Sequence, residues 1–489
     1  MRLFCDLAIL DFCDLYLHTE TPPKKCNKLQ KLRRKSVYLH ENSAEFMYQE
    51  MKERVVMRRK ALDFLREWKQ KDSRKPLIIR GARQVGKTWL MKEFARVEYE
   101  NFAYINFEND RQAKNLFLDD FEISRILLGI QITTGVKPEP DKTLIIFDEI
   151  QEAERAITSL KYFYENAPEY HVVAAGSLLG IALHQNTSFP VGKVEFVDLY
   201  PLSFMEFLSA AGEDALVDLL HQKQWQLITA YKTKYIELLK QYYYVGGMPE
   251  VVASFVRHTD LKEVQELQRQ ILDAYEQDFS KHAPVEVVPR IRMVWNSIPA
   301  QLSKENRKFV YGLIRQGARA KEFELAITWL IDCGLVHKIN RVTKVALPLK
   351  AYEDFSAFKL FVVDVGLLGA MTALDAKTLL DGHTVFVEFK GALTEQFVLQ
   401  QLLSDPDLSI YYWSSDKSDG EIDFLIQYQH LLIPVEVKAS ENLQAKSLRF
   451  FVQKYKPELA VRTSMSDYRK EEWLVNLPLY AVSELVKIE

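Results

Sequence analysis

The sequence has few cysteines, little charge imbalance and no long hydrophobic run, and each absence excludes a class of protein. Four cysteines among 489 residues are too few for a disulfide framework, which favours a reducing, cytoplasmic location. A net charge of -3 argues against a strongly basic nucleic-acid coat protein. No apolar run reaches the roughly 18 residues of a membrane span, so we expect no membrane partner. The 48% hydrophobic and 27% charged content is typical of a globular protein, and the length suggests about three domains.

Residues 1–50 are predicted to form a separate tail. The apolar start is interrupted by aspartates, and the segment Pro22–Ser36 is basic without any acid. A solvated tail is the favoured interpretation, and a nucleic-acid or membrane arm is the alternative. A third possibility is that translation starts downstream, at Met47, Met51 or Met57. The cysteines and histidine of this tail lack the paired spacing of a zinc site.

A phosphate-binding loop is the strongest signal in the chain. The apolar run Leu77–Ile79 predicts a buried strand, and a helical pattern follows residue 88. Between them lies a match to G-x-x-x-x-G-K-[ST], the Walker A motif. Its residues are Gly81, Ala82, Arg83, Gln84, Val85, Gly86, Lys87 and Thr88. Glycines let successive N–H groups surround phosphates, while Lys87 is expected to reach the β/γ-phosphates and Thr88 to bind Mg²⁺.

Two acids follow a second buried strand pattern, Thr143–Phe147. Ligands of open parallel sheets bind beyond the carboxyl ends of strands, so Asp148 is predicted to hold Mg²⁺ through its water shell. Glu149 is the predicted residue that polarises the attacking water. Ser177, after the strand pattern at 171–175, is the predicted sensor of the γ-phosphate. The alternative for the two acids is that they cap the next helix. The alternative for Ser177 is an ordinary serine in a turn.

Five strand patterns alternate with helical segments in this region. The remaining two are Phe102–Phe107 and Lys193–Leu199. Such alternation predicts an α/β fold with a parallel five-stranded sheet and right-handed crossovers.

Seven segments together resemble a prokaryotic family of AAA-like P-loop ATPases joined to a C-terminal domain of uncharacterised function. They are residues 81–88, Tyr104–Glu108, Ile145–Gln151, Ala174–Ser177, Phe189–Phe196, Tyr200–Phe207 and Tyr242–Val252. The resemblance covers about residue 52 to the C-terminus, and residues 1–46 have no counterpart in it. It implies an AAA-like ATP-binding domain at 51–205, with an extra strand between the two phosphate-binding strands. It also implies Mg²⁺ and ATP as cofactors.

Many AAA-type enzymes complete their site with an arginine from a neighbouring subunit, so a homo-oligomer is an open possibility. The sequence does not place this arginine. The candidates are Arg155, Arg257, Arg290 and Arg292, with Lys193 as a basic residue that lacks the guanidinium fork.

The middle of the chain is predicted to be helical and then winged-helix-like. Helical periodicity fills residues 206–288, a linker or lid, and Tyr242, Tyr243 and Tyr244 are expected to pack rather than stack on bases. Residues 289–350 read as helix, short helix, helix and two strands, at Leu335–Ile339 and Val345–Leu347, and the family resemblance also implies a winged helix. Its third helix is acidic, which favours packing or protein contact over DNA binding.

Residues 351–489 resemble the PD-(D/E)XK nuclease core. Glu395 is predicted in the first turns of a helix, Asp423 in a strand, and Glu436 and Lys438 on one face of the next strand. In that chemistry carboxylates bind Mg²⁺ and the lysine supports the nucleophilic water. An amphipathic edge strand with a surface ion pair is the ordinary alternative.

Three functions remain open from the sequence. The first is an ATP-hydrolysing switch whose C-terminal half binds a partner, which could be DNA or a protein. The second is an ATP-regulated, metal-dependent nuclease for defence or repair. The third is a nucleotide-binding scaffold without turnover.

Overall fold

The computed structural model describes residues 57–177, 189–304, 307–381, 387–415, 420–441 and 445–487. The predictions for the tail, residues 1–50, lie outside this described part. The chain from Met57 onward forms one compact unit. Within the described ranges, no helix combines the length and the apolar character needed to cross a membrane.

The first half of the described chain is a parallel sheet with helices on both faces. Its strands are β1 (Leu77–Arg80), β2 (Asn101–Asn106), β3 (Thr143–Asp148), β4 (His171–Ala175) and β5 (Glu195–Asp198). Its helices are α1 (Ala61–Gln70), α2 (Lys87–Glu98), α3 (Arg111–Asn115), α4 (Ile123–Thr134) and α5 (Glu154–Asn166). The five strands predicted from the sequence are therefore confirmed, with boundaries that differ by one or two residues.

The sheet order is β2-β3-β4-β1-β5, and every pairing is parallel. Strand β4 lies between β1 and β3, which confirms the extra strand that the family resemblance implies. The central strands β3 and β4 are buried at every position, because helices cover both faces of the sheet. Their carboxyl ends therefore meet at one edge, next to the loop that follows β1.

A run of helices follows the sheet, as predicted for residues 206–288. They are α6 (Phe204–Ala210), α7 (Asp214–His221), α8 (Trp225–Ala230), α9 (Lys232–Val245), α10 (Pro249–His258) and α11 (Leu261–His282). Tyr242, Tyr243 and Tyr244 are all buried at the end of α9. The packing role expected for these tyrosines is therefore the one observed.

The second half of the chain is built on a mixed sheet of order β12-β13-β11-β10-β9-β8-β6-β7. Its helices are α12 (Val288–Leu302), α13 (Ala320–Asp332), α14 (Val365–Met371), α15 (Ala376–Asp381), α16 (Val387–Leu403) and α17 (Lys446–Tyr455). The strands in chain order are β6 (Val336–Val342), β7 (Glu353–Val362), β8 (Ser409–Ser414), β9 (Glu421–Tyr428), β10 (Leu431–Val437), β11 (Val461–Ser464), β12 (Arg469–Lys470) and β13 (Val475–Pro478).

The hairpin β6–β7 corrects one expectation from the sequence. The predicted second wing strand, Val345–Leu347, lies in the connection, and the strand that pairs with β6 is β7. The apolar triplet 345–347 is followed by Pro348, which cannot donate a ladder hydrogen bond. The longer segment 357–362 is buried at every position and so makes the stronger strand. Because β6 also pairs with β8, the hairpin continues the C-terminal sheet. Residue 350, the predicted end of the winged-helix-like segment, lies in the connection between β6 and β7.

A buried polar bridge joins the two halves, and we define it as Leu202, Tyr242, Gly247, Asp364 and Gln400. The Gly247 N–H donates to Asp364 Oδ2 at 2.6 Å, and the Leu202 N–H donates to the Gly247 carbonyl at 2.7 Å. Gln400 Nε2 donates both to Asp364 Oδ2 at 2.9 Å and to the Tyr242 hydroxyl at 3.0 Å. Tyr242 in turn donates to the Leu202 carbonyl. The bridge therefore links the first sheet, the helical region and α16 through satisfied buried groups.

Candidate functional site

The loop between β1 and α2 curls into a concavity at the carboxyl edge of the first sheet. Gly86 has φ 94° and Gln84 has φ 67°, the left-handed backbone conformations that turn successive N–H groups toward one side. Helix α2 begins at Lys87, so its N-terminus points at the same space. Backbone N–H groups and a helix dipole together favour an anion here.

The Lys87 ammonium lies inside this curl. Its Nζ donates to the carbonyls of Gly81 at 2.8 Å and Ala82 at 2.7 Å. Burial lowers the pKa of Lys87 to about 8, against the opposing charges of Glu149 and Asp148. A buried, positively charged group that can exchange carbonyl partners is well placed to meet a phosphate.

Asp148 ends β3 directly opposite Thr88. The Thr88 hydroxyl donates to Asp148 Oδ2 at 2.7 Å, and the Tyr104 hydroxyl donates to the same oxygen at 2.8 Å. Asp148 is only 2% exposed, and burial raises the pKa of Tyr104 to about 12. Tyr104 was not predicted as a site residue. The sequence feature that could have indicated it is its position near the end of the strand β2, which pairs with β3 and so brings Tyr104 close to Asp148.

The donor set at Thr88 and Asp148 fits Mg²⁺. A hydroxyl and a carboxylate converge there, and Mg²⁺ prefers such oxygen ligands, with waters and phosphates completing its shell. In the described ranges, no three His, Cys, Asp or Glu side chains are grouped so as to hold a metal ion. Two protein oxygens are therefore what this site offers, which suits a metal held jointly with a nucleotide.

Glu149 follows Asp148 in a strained left-handed conformation, with φ 49°. Gln151 Nε2 donates to Glu149 Oε2 at 2.7 Å, and the Ser177 hydroxyl donates to Glu149 Oε1 at 3.0 Å. Ser177, the predicted sensor, thus contacts the acid, while Gln151 was missed by the sequence reasoning. These two donors fix the carboxylate at the edge of the loop's concavity.

A cavity of about 390 Å³ opens beside the loop. Its wall includes Gly81, Ser177, Asp198, Tyr200 and His337. The first four lie at or beyond the carboxyl ends of β1, β4 and β5, which is where open parallel sheets bind ligands. His337 belongs to β6, so the second half of the chain also lines this space.

Helix α11 clamps the loop from the helical region. Arg83 Nη1 forms an ion pair with Asp278 at 2.6 Å, and the Tyr275 hydroxyl donates to the Arg83 carbonyl at 2.9 Å. Pro249, the first residue of α10, approaches Gly86 closely: a Cβ at Gly86 would lie 3.4 Å from its ring. The helical region therefore touches both ends of the phosphate loop.

Two further contacts reach the loop from other parts of the chain. Arg59 Nη1 donates to the Val85 carbonyl at 3.4 Å, and its Nη2 donates to the Tyr200 carbonyl at 2.6 Å. Gly334, which follows α13, lies so near that a Cβ there would come within 3.0 Å of the Ala82 nitrogen. Gly334 also has φ 72°, and the close contact and the left-handed backbone together favour glycine where the end of α13 meets the phosphate loop.

The basic residues considered for the arginine that completes the site of a neighbouring subunit are in part engaged in contacts within the chain. Arg155 donates to the Phe117 carbonyl at 2.6 Å, Arg292 donates to the Ser280 hydroxyl at 3.0 Å, and Lys193 pairs with Glu165 at 3.0 Å. Arg257 and Arg290 are exposed on helices α10 and α12.

The four C-terminal residues singled out in the sequence lie together. Lys438 pairs with Glu436 at 2.7 Å, and Asp423 Oδ2 accepts from the Val437 N–H at 2.7 Å. Burial is the main cause that raises the pKa of Glu395, and the charge of the nearby Asp423 raises it further. Sequence reasoning missed the basic partners of this cluster, Lys359 and Arg307, because they precede it in the chain.

Two local details of that cluster differ from the expectation. Glu395 lies in the middle of α16 rather than in its first turns. Strand β10 is central, between β9 and β11, and Glu436 is 5% exposed, so the alternative of an amphipathic edge strand is wrong. Val435, Glu436 and Val437 are all buried, so the alternation 435–438 does not separate core from solvent.

Comparisons with known proteins assign the first sheet to a family. Residues 73–208 match the family model described as an AAA domain, so this part of the chain is an AAA-like domain. Residues 236–378 and 390–481 match two models, each described as a domain of unknown function (DUF8612 and DUF4143). An uncharacterised protein of Haemophilus influenzae is 25% identical over 212 residues, 41% of this chain and 46% of that protein. The chain thus spans about half the length of this curated relative.

Solved structures resemble parts of the chain at low similarity. The Walker-type ATPase PABY2304 of Pyrococcus abyssi has 14% identity and a TM-score of 0.42, covering 65% of this chain and 96% of that one. The ORC1 protein of Aeropyrum pernix, solved in complex with DNA, has 11% identity and a TM-score of 0.25, covering 64% and 90%.

Proposed function

We propose that this protein binds and hydrolyses ATP and acts as a nucleotide-dependent switch. The observation that carries the proposal is the clamped phosphate loop: Arg59, Pro249, Asp278 and Gly334 all contact it from outside the strands and helix that form it. A ligand that enters such a loop must alter contacts with the helical region and with α13. Nucleotide state can therefore be transmitted by direct contact.

The proposed chemistry uses the acid pair and the loop. Thr88 and Asp148 would hold Mg²⁺, which when bound would neutralise phosphate charge. Lys87 exchanges its carbonyl partners for phosphate oxygens. Glu149 accepts a proton from water as that water forms a bond to the γ-phosphorus and the bond to the ADP oxygen breaks. Ser177 and Gln151 keep the Glu149 carboxylate oriented.

The test of this proposal is ATP turnover by the full chain and by Lys87→Ala. We expect wild-type turnover that Lys87→Ala abolishes together with ATP binding. Equal turnover in both proteins would contradict the assignment of the loop. Binding without turnover in the wild type would favour the scaffold instead.

For the C-terminal half we propose a winged helix followed by a nuclease-like core that binds a partner. Support for the core comes from its element order, α16-β8-β9-β10-α17-β11, with β8, β9 and β10 antiparallel and β11 parallel to β10. Helix α13 carries Glu322 and Glu324 against Lys321, which disfavours phosphates, so we propose a protein-contact role for the winged helix. ATP turnover with and without DNA tests the partner, since stimulation by DNA would favour DNA.

A metal-dependent nuclease is the second candidate, because Glu395, Asp423, Glu436 and Lys438 lie together. Its test is nicking of plasmid DNA with Mg²⁺ or Mn²⁺ by wild type and by Asp423→Ala. Nicking that the substitution abolishes would support it, and intact DNA with ATP present would contradict it.

A further inference from the structure

The acids of the C-terminal core carry their own cations. We define the carboxylate cluster as Glu395, Asp423 and Glu436, where a nuclease-like core would hold Mg²⁺. This inference rests on the nuclease-like topology proposed above, but not on ATP hydrolysis. The question is whether a divalent metal fits the groups that surround the cluster.

Lys359 is the first built-in cation. It belongs to β7, outside the α16–β11 core, and its side chain is fully buried. Its Nζ lies 2.6 Å from Glu421 Oε1 and 3.8 Å from Glu395 Oε2, and 4.9 Å from the centre of the Tyr412 ring. A buried ammonium requires such anionic neighbours, and these acids supply them.

Arg307 is the second cation, and it also precedes the core in the chain. Its guanidinium pairs with Glu395 Oε1, while Lys359 faces Glu395 Oε2. Both oxygens of this 2%-exposed carboxylate therefore face a positive charge. Two cations already balance the charge of Glu395, although Oε2 itself makes no hydrogen bond, so a divalent metal would meet positive charge on both sides of this carboxylate.

The other two carboxylates, Asp423 and Glu436, also have partners within the chain. Asp423 Oδ2 accepts the Val437 N–H. Glu436 Oε1 pairs with Lys438, so Glu436 Oε2 is the oxygen of Glu436 without a hydrogen-bond partner. Mg²⁺ needs near-octahedral oxygen coordination. Glu395 Oε2 and Glu436 Oε2, the two glutamate oxygens without a hydrogen-bond partner, lie beside basic side chains and make a poor ligand set.

We infer that Lys359 and Arg307 take the place of a divalent metal at the carboxylate cluster, so that the C-terminal core folds and binds its partner without metal. The acids then hold β7 and the segment at Arg307 against the core. The winged-helix hairpin and the core are joined through this ion cluster as well as through the shared sheet.

The first test counts Mn²⁺ bound to the full chain by electron paramagnetic resonance, without nucleotide. The Asp148→Asn variant removes the metal ligand of the phosphate loop, and Asp148→Asn/Glu436→Gln serves as the matched comparison. We expect no bound Mn²⁺ at 1:1 stoichiometry in either protein. One equivalent of Mn²⁺ that Glu436→Gln abolishes would overturn the inference. Because no ATP is present, a failure of the ATPase proposal cannot be mistaken for a failure here.

The second test removes the internal cation. Lys359→Met, placed in the Asp148→Asn background, leaves the acids under-neutralised. We expect this protein to bind Mn²⁺ at least tenfold more tightly than Asp148→Asn alone, and its melting temperature to rise on adding Mn²⁺. Lys446→Met in the same background, at an exposed lysine of α17, should behave as Asp148→Asn alone. Unchanged Mn²⁺ affinity in folded Lys359→Met would contradict the inference. If that variant does not fold, the Mn²⁺ count above decides alone.

Discussion

Glu149 is the residue on which the proposed hydrolysis depends most directly. A non-glycine residue at φ 49° is strained by roughly 1–3 kcal/mol, and the surrounding hydrogen bonds with Gln151 and Ser177 hold it there. Strain of this kind is concentrated at functional sites. The sequence pointed to Glu149 through its position after β3, but the backbone conformation and the Gln151 contact come from packing that the sequence does not display.

Replacing Glu149 with glutamine should separate ATP binding from turnover. The amide keeps the shape of the carboxylate but cannot accept a proton, so we expect turnover to fall about 10²- to 10³-fold with ATP affinity changed less than threefold. The measurement is phosphate release together with nucleotide binding by calorimetry. Glu154→Gln, at an exposed acid of α5, is the control and should turn over as wild type. A Glu149→Gln protein with normal turnover would remove this residue from the mechanism.

His337 should make the junction between the two halves sensitive to acid. Burial lowers its pKa to about 4, against the opposing effect of Asp198, while the unfolded chain titrates near 6.5. The unfolded state therefore binds the proton more tightly, so the stability is full above pH 6.5 and is lost as pH falls toward 4. Between pH 7 and pH 5 this residue should contribute a loss of about 1–2 kcal/mol in the free energy of unfolding.

The check is to compare urea unfolding of His337→Gln and wild type at pH 7 and pH 5. The variant should lose less stability than wild type over this interval. Exposed His258→Gln should keep the wild-type difference. Equal losses of stability in His337→Gln and wild type would contradict the lowered pKa of His337 in the folded protein.

Among the elements, the short helix α14 is the one that ties the halves together. Its N-cap is Asp364, whose Oδ1 accepts the Leu367 N–H at 3.1 Å while Oδ2 accepts from Gly247 and Gln400. Gly246 and Gly247 before Pro249 form a pattern typical of a turn, but this pattern gives no sign of the distant partner Asp364. Contacts between residues more than a hundred positions apart leave no local pattern to read.

Substitution of Asp364 should therefore cost far more than the loss of an ordinary helix cap. Asp364→Ala leaves buried donors unpaired, and we expect a loss of about 3–5 kcal/mol in the free energy of unfolding. Asp375→Ala removes the exposed side chain that accepts the Thr378 N–H at the start of α15, and should cost about 1 kcal/mol. Denaturant melts of both variants give the comparison. Equal losses would show that the buried polar bridge contributes nothing beyond capping.

Strand prediction succeeded or failed according to how each strand is buried. Strands β1, β3 and β4 each contain a run of three or four consecutive apolar residues and were recognisable, because a parallel sheet covered on both faces needs such runs. The second wing strand was misplaced because β7 begins with the polar residues Glu353 and Asp354, which are not typical of a buried strand. Its pairing with β6 also shifts register between Asn340 and Arg341. Lys359, one of the cations beside the carboxylate cluster, was also missed. It lies on β7, which does not belong to the sequence segments of the nuclease-like core.

At the scale of the whole molecule, the AAA-like domain and the C-terminal half form one compact unit around the phosphate loop. We predict that nucleotide changes the contacts of α11 and of Gly334, which lie outside residues 73–208. The most direct test is hydrogen–deuterium exchange of Glu149→Gln with and without ATP and Mg²⁺, with Lys87→Ala as the control. We expect altered protection in α11 and the β6–β7 hairpin that is absent in Lys87→Ala. Changes confined to residues 73–208, or no change at all, would contradict the proposed nucleotide-dependent switch.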